Sequence, residues 1–98
     1  MNISKTLKDG ALTIALQGRL DTTTAPLLEQ ELQASLDGVT ALRFDFAQLE
    51  YISSAGLRVL LTSQKQMNKQ GTMVVCNVNE TIGEVFEITG FSDVLTIE

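Results

Sequence analysis

Short runs of alternating apolar residues take turns along this chain with stripes at helical spacing, and that order limits the possible folds more than any other feature. From Ala11 to Gln17, Leu12, Ile14 and Leu16 alternate with Thr13 and Ala15, the pattern of a strand with one buried face. Asn2 to Thr6 reads as a partner strand across Asp9-Gly10, a dipeptide suited to a tight hairpin. Thr22-Thr23-Thr24-Ala25-Pro26 opens a helix, because proline's missing N–H is harmless in the first turn. Ala25, Leu28, Leu32 and Leu36 form its apolar stripe, and Gly38 closes it.

Thr40 to Phe46 is the next strand, with Leu42, Phe44 and Phe46 on one face and Arg43 and Asp45 on the other. Gln48 to Ser53 reads as a connection. A second helix is expected from Ser54 to Gln70, with Leu57, Leu60, Leu61 and Met67 inward, Lys65 and Lys69 near its end and Gly71 as a stop. Met73 to Val78 is apolar at nearly every position, as in a strand buried on both sides. Glu80 to Thr89 gives a third helix with Ile82, Val85 and Phe86 inward, ended by Gly90. Leu95 to Ile97 can add a last short strand.

This order predicts an α/β fold in one domain, residues 1–98: a small mixed sheet with an N-terminal antiparallel hairpin, then parallel strands joined by helices. Right-handed crossovers that advance in one direction place the helices mainly on one face of the sheet. Only the Met73 to Val78 strand resists a one-sided arrangement, so its second face is expected to be covered by a terminus or a partner.

Composition narrows the chemistry. Twelve acids against seven bases argue against nucleic acid or an anionic membrane as the main partner. No apolar run is long enough for a membrane span, and MNISKTLKDG lacks the apolar stretch of a signal peptide. The single cysteine, Cys76, cannot pair within the chain, which fits the cytoplasm; in its apolar strand it reads as a buried small hydrophobe. There is no histidine, so His-dependent triads, metal sites and general bases are excluded together. Neither a G-x-G-x-x-G loop nor a Walker-type lysine motif is present, and no acidic spacing suggests a metal. The expectation is a protein that is not an enzyme and needs no cofactor.

The most informative segment runs from Asp45 through Tyr51-Ile52-Ser53-Ser54-Ala55-Gly56-Leu57, where a strand leads into a helix opened by two serines. The plain reading makes Ser53 or Ser54 an N-cap whose oxygen accepts an orphan backbone N–H. A functional serine fits the same place, because a phosphate there would meet the positive end of the helix dipole. A nucleophilic serine does not fit: there is no G-x-S-x-G, and Leu57 stands where a Ser-Lys hydrolase needs its lysine. Asp21, after the second strand, reads by itself as an acid favoured at a helix start.

Phe44-Asp45-Phe46 through Leu61 resembles the signature of the STAS domain (sulfate transporter and anti-sigma-factor antagonist). The likeness extends to Gly18-Arg19-Leu20-Asp21, to the Thr72 to Val78 strand and to the final helix, essentially the whole chain. At this length the chain is more similar to stand-alone antagonists than to the tail of an anion transporter. The resemblance implies a cytoplasmic protein that binds an anti-sigma factor, itself a serine kinase, and so frees a sigma factor. It further implies that this kinase ends the interaction by phosphorylating a serine at the start of the second helix, and that a metal-dependent phosphatase removes the phosphate. The family's aspartate, serine, small hydroxyl residue, glycine and leucine fall on Ser53, Ser54, Ala55, Gly56 and Leu57. Ser54 is therefore the implied phosphosite, with Asp21, Ser53, Ala55 and Gly56 as implied partner-binding residues. Ser53 replaces the family's acid and becomes a competing acceptor, while Ala55 replaces the second hydroxyl. The alternative is a STAS subunit of an ABC-type transporter, an interaction module with no phosphorylation cycle. A ligand-binding enzyme on this fold is remote, for want of catalytic groups.

Overall fold

The computed structural model describes all residues, Met1–Glu98. Its four-stranded sheet has the order β1-β2-β3-β4: β1 (Asn2–Lys8), β2 (Ala11–Leu20), β3 (Ala41–Ile52) and β4 (Thr72–Cys76). β1 and β2 are antiparallel, while the β2–β3 and β3–β4 pairs are parallel. The hairpin turns on Asp9 and Gly10, both at positive φ (53° and 81°), the primed geometry that matches strand twist. Helices α1 (Ala25–Ser35) and α2 (Ser54–Gln70) make the two parallel crossovers; α3 (Glu80–Thr89) follows β4, and a single 3-10 turn comes after it at Phe91–Asp93.

The core lies between the helices and one sheet face. Leu12, Ile14 and Leu16 of β2, Leu42, Phe44 and Phe46 of β3, and Met73 and Val75 of β4 are all buried there. Thr13, Ala15, Arg43 and Asp45 lie on the other face, half-buried or exposed. The expected fold, with helices on one face, is what the chain adopts.

The structure corrects four details. β3 does not end at Phe46 but runs to Ile52, through the segment read as a connection. Its buried residues are Leu42, Phe44, Phe46, Leu49 and Ile52, so the period of two breaks after Phe46. The cause is a pair of bulges: Ala15 pairs with Asp45 but Gln17 with Gln48, and Gly18 with Leu49 but Arg19 with Tyr51. The Asp45 carboxylate accepts the Ala47 N–H at 3.0 Å, which takes that donor at the first bulge.

The buried arc of α2 also differs from expectation. Leu57 and Leu60 are buried, but Leu61 is only half-buried, and Val59 and Ser63 lie inside instead. α1 lies beside α2, and Leu32, Leu36, Val59 and Ser63 share the cleft between them. On α3, Ile82 and Phe86 are fully buried while Val85 is half-buried.

Finally, β4 stops at Cys76, and the C-terminus forms no strand of its own. It adds one parallel bridge, Val75 to Ile97, with the Val75 N–H donating to Thr96 O and the Glu98 N–H to Val75 O, each at 2.9 Å. The Arg43 guanidinium reaches Glu98 Oε1 at 3.1 Å, so the terminus covers the outer edge of β4. Between α2 and β4, Gly71 lies against Thr40, whose carbonyl accepts the Thr72 N–H at 3.0 Å. Any Cβ on Gly71 would overlap that carbonyl.

Candidate functional site

The C-terminal ends of β2 and β3 bring the two sequence-predicted segments together. Arg19 pairs with Tyr51 and Leu20 with Ile52, and the Ser53 N–H donates to Leu20 O at 2.9 Å. The loop after β2, which carries Asp21, therefore leaves the sheet beside the start of α2. The two bulges in β3 decide this alignment, because each adds one residue to β3 without advancing β2.

Close packing holds α2 at that spot. Gly56 is buried, and a Cβ there would come within 2.7 Å of Leu20 Cγ and 2.8 Å of Ile52 Cγ1. Its missing side chain lets the first turn of α2 rest on the strand ends. Gly56 thus shapes the site from below, and Ala55 is half-buried against the core.

The two serines have different surroundings. Ser53 is the N-cap, with extended backbone (φ −102°, ψ 177°), but its hydroxyl accepts no backbone N–H. The Ser53 Oγ is buried and has no hydrogen-bond partner within the protein. The expected capping contact is therefore absent, although Ser53 O accepts the Leu57 N–H at 3.0 Å and begins the helix. Ser54, the first helical residue, is exposed. At this junction one serine hydroxyl is turned inward and the next residue is exposed to solvent. The first turn of α2 contains no acid, so the positive end of its dipole is uncompensated by side chains.

Asp21 organises the adjoining loop. Its Oδ1 accepts the Thr23 N–H at 3.0 Å, the Thr23 hydroxyl at 2.7 Å and the Thr24 N–H at 3.2 Å. The Thr24 hydroxyl donates to Arg19 O and accepts the Asp21 N–H, both at 2.8 Å. The Thr23 hydroxyl above all, with the Thr24 and Thr23 N–H groups, holds the Asp21 carboxyl below the usual carboxylate range against opposing desolvation. Asp21 is thus an ionised anchor for the start of α1.

Arg19 and Tyr51, which lie within the recognised segments but are not among the expected site residues, complete the surface. The Arg19 guanidinium lies 4.2 Å from the Tyr51 ring centroid, and its Nε is 3.9 Å from Asp21 Oδ2. Tyr51 is 37% exposed, one of six large apolar side chains at the surface. Arginine and tyrosine are types enriched at interface anchors, a usable signal, but only the bulged register shows that they meet. No group of three His, Cys, Asp or Glu side chains is placed to hold a metal, and no helix is long and apolar enough to cross a membrane.

Known proteins agree with this architecture. The sequence model of the STAS domain matches residues 2–98. BtrV of Bordetella bronchiseptica, a candidate anti-sigma factor antagonist, is 43% identical over 91 residues, covering 91% of this chain and 78% of BtrV. The anti-sigma-B factor antagonist of Listeria monocytogenes is 31% identical over 104 residues, covering 100% of this chain and 90% of that protein. Among solved structures, the antagonist SpoIIAA in its unphosphorylated form superposes with a TM-score of 0.78 at 18% identity, covering 99% of this chain and 87% of SpoIIAA. Its phosphorylated form superposes with a TM-score of 0.77, again at 18% identity, covering 99% of this chain and 91% of SpoIIAA. With that family match over residues 2–98, the chain belongs to the STAS domain family.

Proposed function

We propose that this chain is an anti-sigma-factor antagonist switched by phosphorylation of Ser54. In this reading the unphosphorylated form binds an anti-sigma factor that is also a serine kinase, and a sigma factor is released. The kinase then transfers a phosphate from ATP to Ser54 and binding ends, until a metal-dependent phosphatase restores the hydroxyl. The protein acts by binding, not by turnover. The observation that carries the reading is the exposed Ser54 at the first position of α2, next to a Ser53 whose hydroxyl is buried. Of the two candidate acceptors, a kinase can reach Ser54 without unpacking the strand ends.

The physics of the switch is local. A phosphoserine carries roughly −1.5 to −2 charges at neutral pH. In the free protein, the uncompensated first turn of α2 offsets part of that charge, typically by about 0.3–1 kcal/mol. In a closed interface the phosphate must lose water or meet like charges, and an unpaired buried charge costs roughly 2–5 kcal/mol there. Phosphorylation then lowers affinity while the fold persists. The comparable match to both forms of SpoIIAA supports a fold that need not change between states.

The test is phosphate transfer. A serine kinase isolated by its ability to label this chain with ATP should add one phosphate, mapped by mass spectrometry to Ser54. Ser54→Ala should abolish labelling yet bind the kinase, and Ser54→Asp should bind more weakly than wild type. A chain that accepts no phosphate, and whose Ser54→Asp variant binds native partners as wild type does, would move the reading to a transporter subunit.

A further inference from the structure

The outward face of α2 is more basic than anything else on the molecule. α2 carries Arg58, Lys65 and Lys69 and no acid, while the rest of the chain holds all 12 acids and only four bases. At about 100° per residue, Ser54, Arg58, Lys65 and Lys69 fall within an arc of about 60°. All four residues are exposed, on the side of the helix opposite Leu60 and Met67. The stripe runs about 22 Å along the helix, at 1.5 Å per residue, and Ser54 is its first residue.

Nothing in the fold uses these charges. Lys5, Arg19 and Arg43 have acids at 2.8, 3.9 and 3.1 Å, but Arg58, Lys65 and Lys69 form no ion pair. Helix stability does not explain the stripe either. Arg58, in the second turn, gains nothing from the dipole, and Lys65 and Lys69 are like charges at i, i+4, which is mildly unfavourable. Only Lys69, in the last turn, is where the dipole favours a cation.

We propose that this face is where the anti-sigma factor docks, and that it receives an acidic surface of that protein; the inference rests on the antagonist reading above. Charge complementarity selects the occupant: an acidic partner meets cations along α2 that the chain leaves unpaired, on a molecule that elsewhere repels it. The placement also says how the switch acts. A phosphate on Ser54 lies one turn from Arg58, in the acid-before-base i, i+4 arrangement that favours pairing. It withdraws Arg58 from the partner and places a charge of the partner's own sign at the head of the stripe.

The experiment measures association of the Ser54 kinase with four chains: wild type, the double variant Lys65→Glu/Lys69→Glu, Ser54→Asp, and a Lys8→Glu control. Lys8 is exposed, in no ion pair, and at the hairpin end of the sheet away from Ser54. Circular dichroism and a melting curve establish that each variant is folded. The double reversal should slow association roughly ten-fold or more at low salt and flatten its salt dependence, with Lys8→Glu unchanged. If the double reversal binds like wild type while Ser54→Asp is weakened, the stripe is not the docking face and the switch reading stands. If Ser54→Asp binds like wild type while the double reversal is weakened, the docking face stands and the switch reading falls. Binding of wild type to duplex DNA or phosphatidylserine vesicles that is lost in the double reversal, with kinase binding intact, would give the stripe to a polyanion and overturn the protein partner.

Discussion

Ser53 and Asn79 are both helix N-caps with nearly the same backbone, φ −102° and ψ 177° against φ −77° and ψ 170°. Their side chains do opposite things, and alanine at each position should reverse the ordinary capping rule at one of them. Asn79 Oδ1 accepts the Ile82 N–H at 2.8 Å, and its Nδ2 donates to Leu49 O at 3.0 Å, at the second bulge of β3. Asn79→Ala loses a cap worth about 0.5–2 kcal/mol and one further hydrogen bond worth about 0.5–1.5 kcal/mol. A net loss of about 1–3 kcal/mol is expected. Ser53→Ala removes a buried hydroxyl that has no partner and leaves nothing unpaired behind. Because an unsatisfied buried polar group costs about 1–3 kcal/mol, this variant should be neutral or about 1 kcal/mol more stable. Urea unfolding separates the two. With a slope of about 1–3 kcal/mol per molar, a 2 kcal/mol loss moves the midpoint by about 0.7–2 M for Asn79→Ala, while Ser53→Ala should not fall below wild type. A Ser53→Ala loss equal to that of Asn79→Ala would show that the hydroxyl caps α2 in solution. The inward-facing assignment of Ser53 would then be refuted.

Leu60 is fully buried beneath α2, and Leu60→Ala should cost about 2–5 kcal/mol, read as a lowered urea midpoint. Asp21 and Asp45 are both depressed when folded, Asp21 chiefly by the Thr23 hydroxyl and Asp45 chiefly by the Asn77 amide. A depressed carboxyl stabilises the fold above its unfolded value near pH 4 and loses that contribution as pH falls through the folded value. Melting temperature should therefore drop below about pH 4, and the double variant Asp21→Asn/Asp45→Asn should show a flatter acid limb. An acid limb unchanged by that variant would place the acid-sensitive groups elsewhere.

Period, turn chemistry and helix stops are local properties, and they were readable in the chain. The Asp9-Gly10 hairpin, the Ala25-Leu28-Leu32-Leu36 stripe, the bounds of α2 and the serine pair at its start all follow from residues within one or two turns of each other. The length of β3 was not readable, because each bulge breaks the alternation that identifies a strand while keeping the strand paired. Burial of Val59 and Ser63 in place of Leu61 depended on where α1 lies, which no pattern within α2 can state. The pairing along the outer edge of β4 likewise came from residues 96–98, joined to Val75 by hydrogen bonds across twenty-odd residues of chain. At the site, two hydroxyls adjacent in sequence were equivalent candidates until packing separated them. The Ser53 backbone is held to Leu20 O and Gly56 rests on Leu20 and Ile52, so one side chain is enclosed and the next is free. Residue type and spacing thus determined which chemistry was available. Tertiary structure decided which atoms solvent can reach and which distant residues share a surface, because both depend on contacts between segments whose register local pattern does not encode.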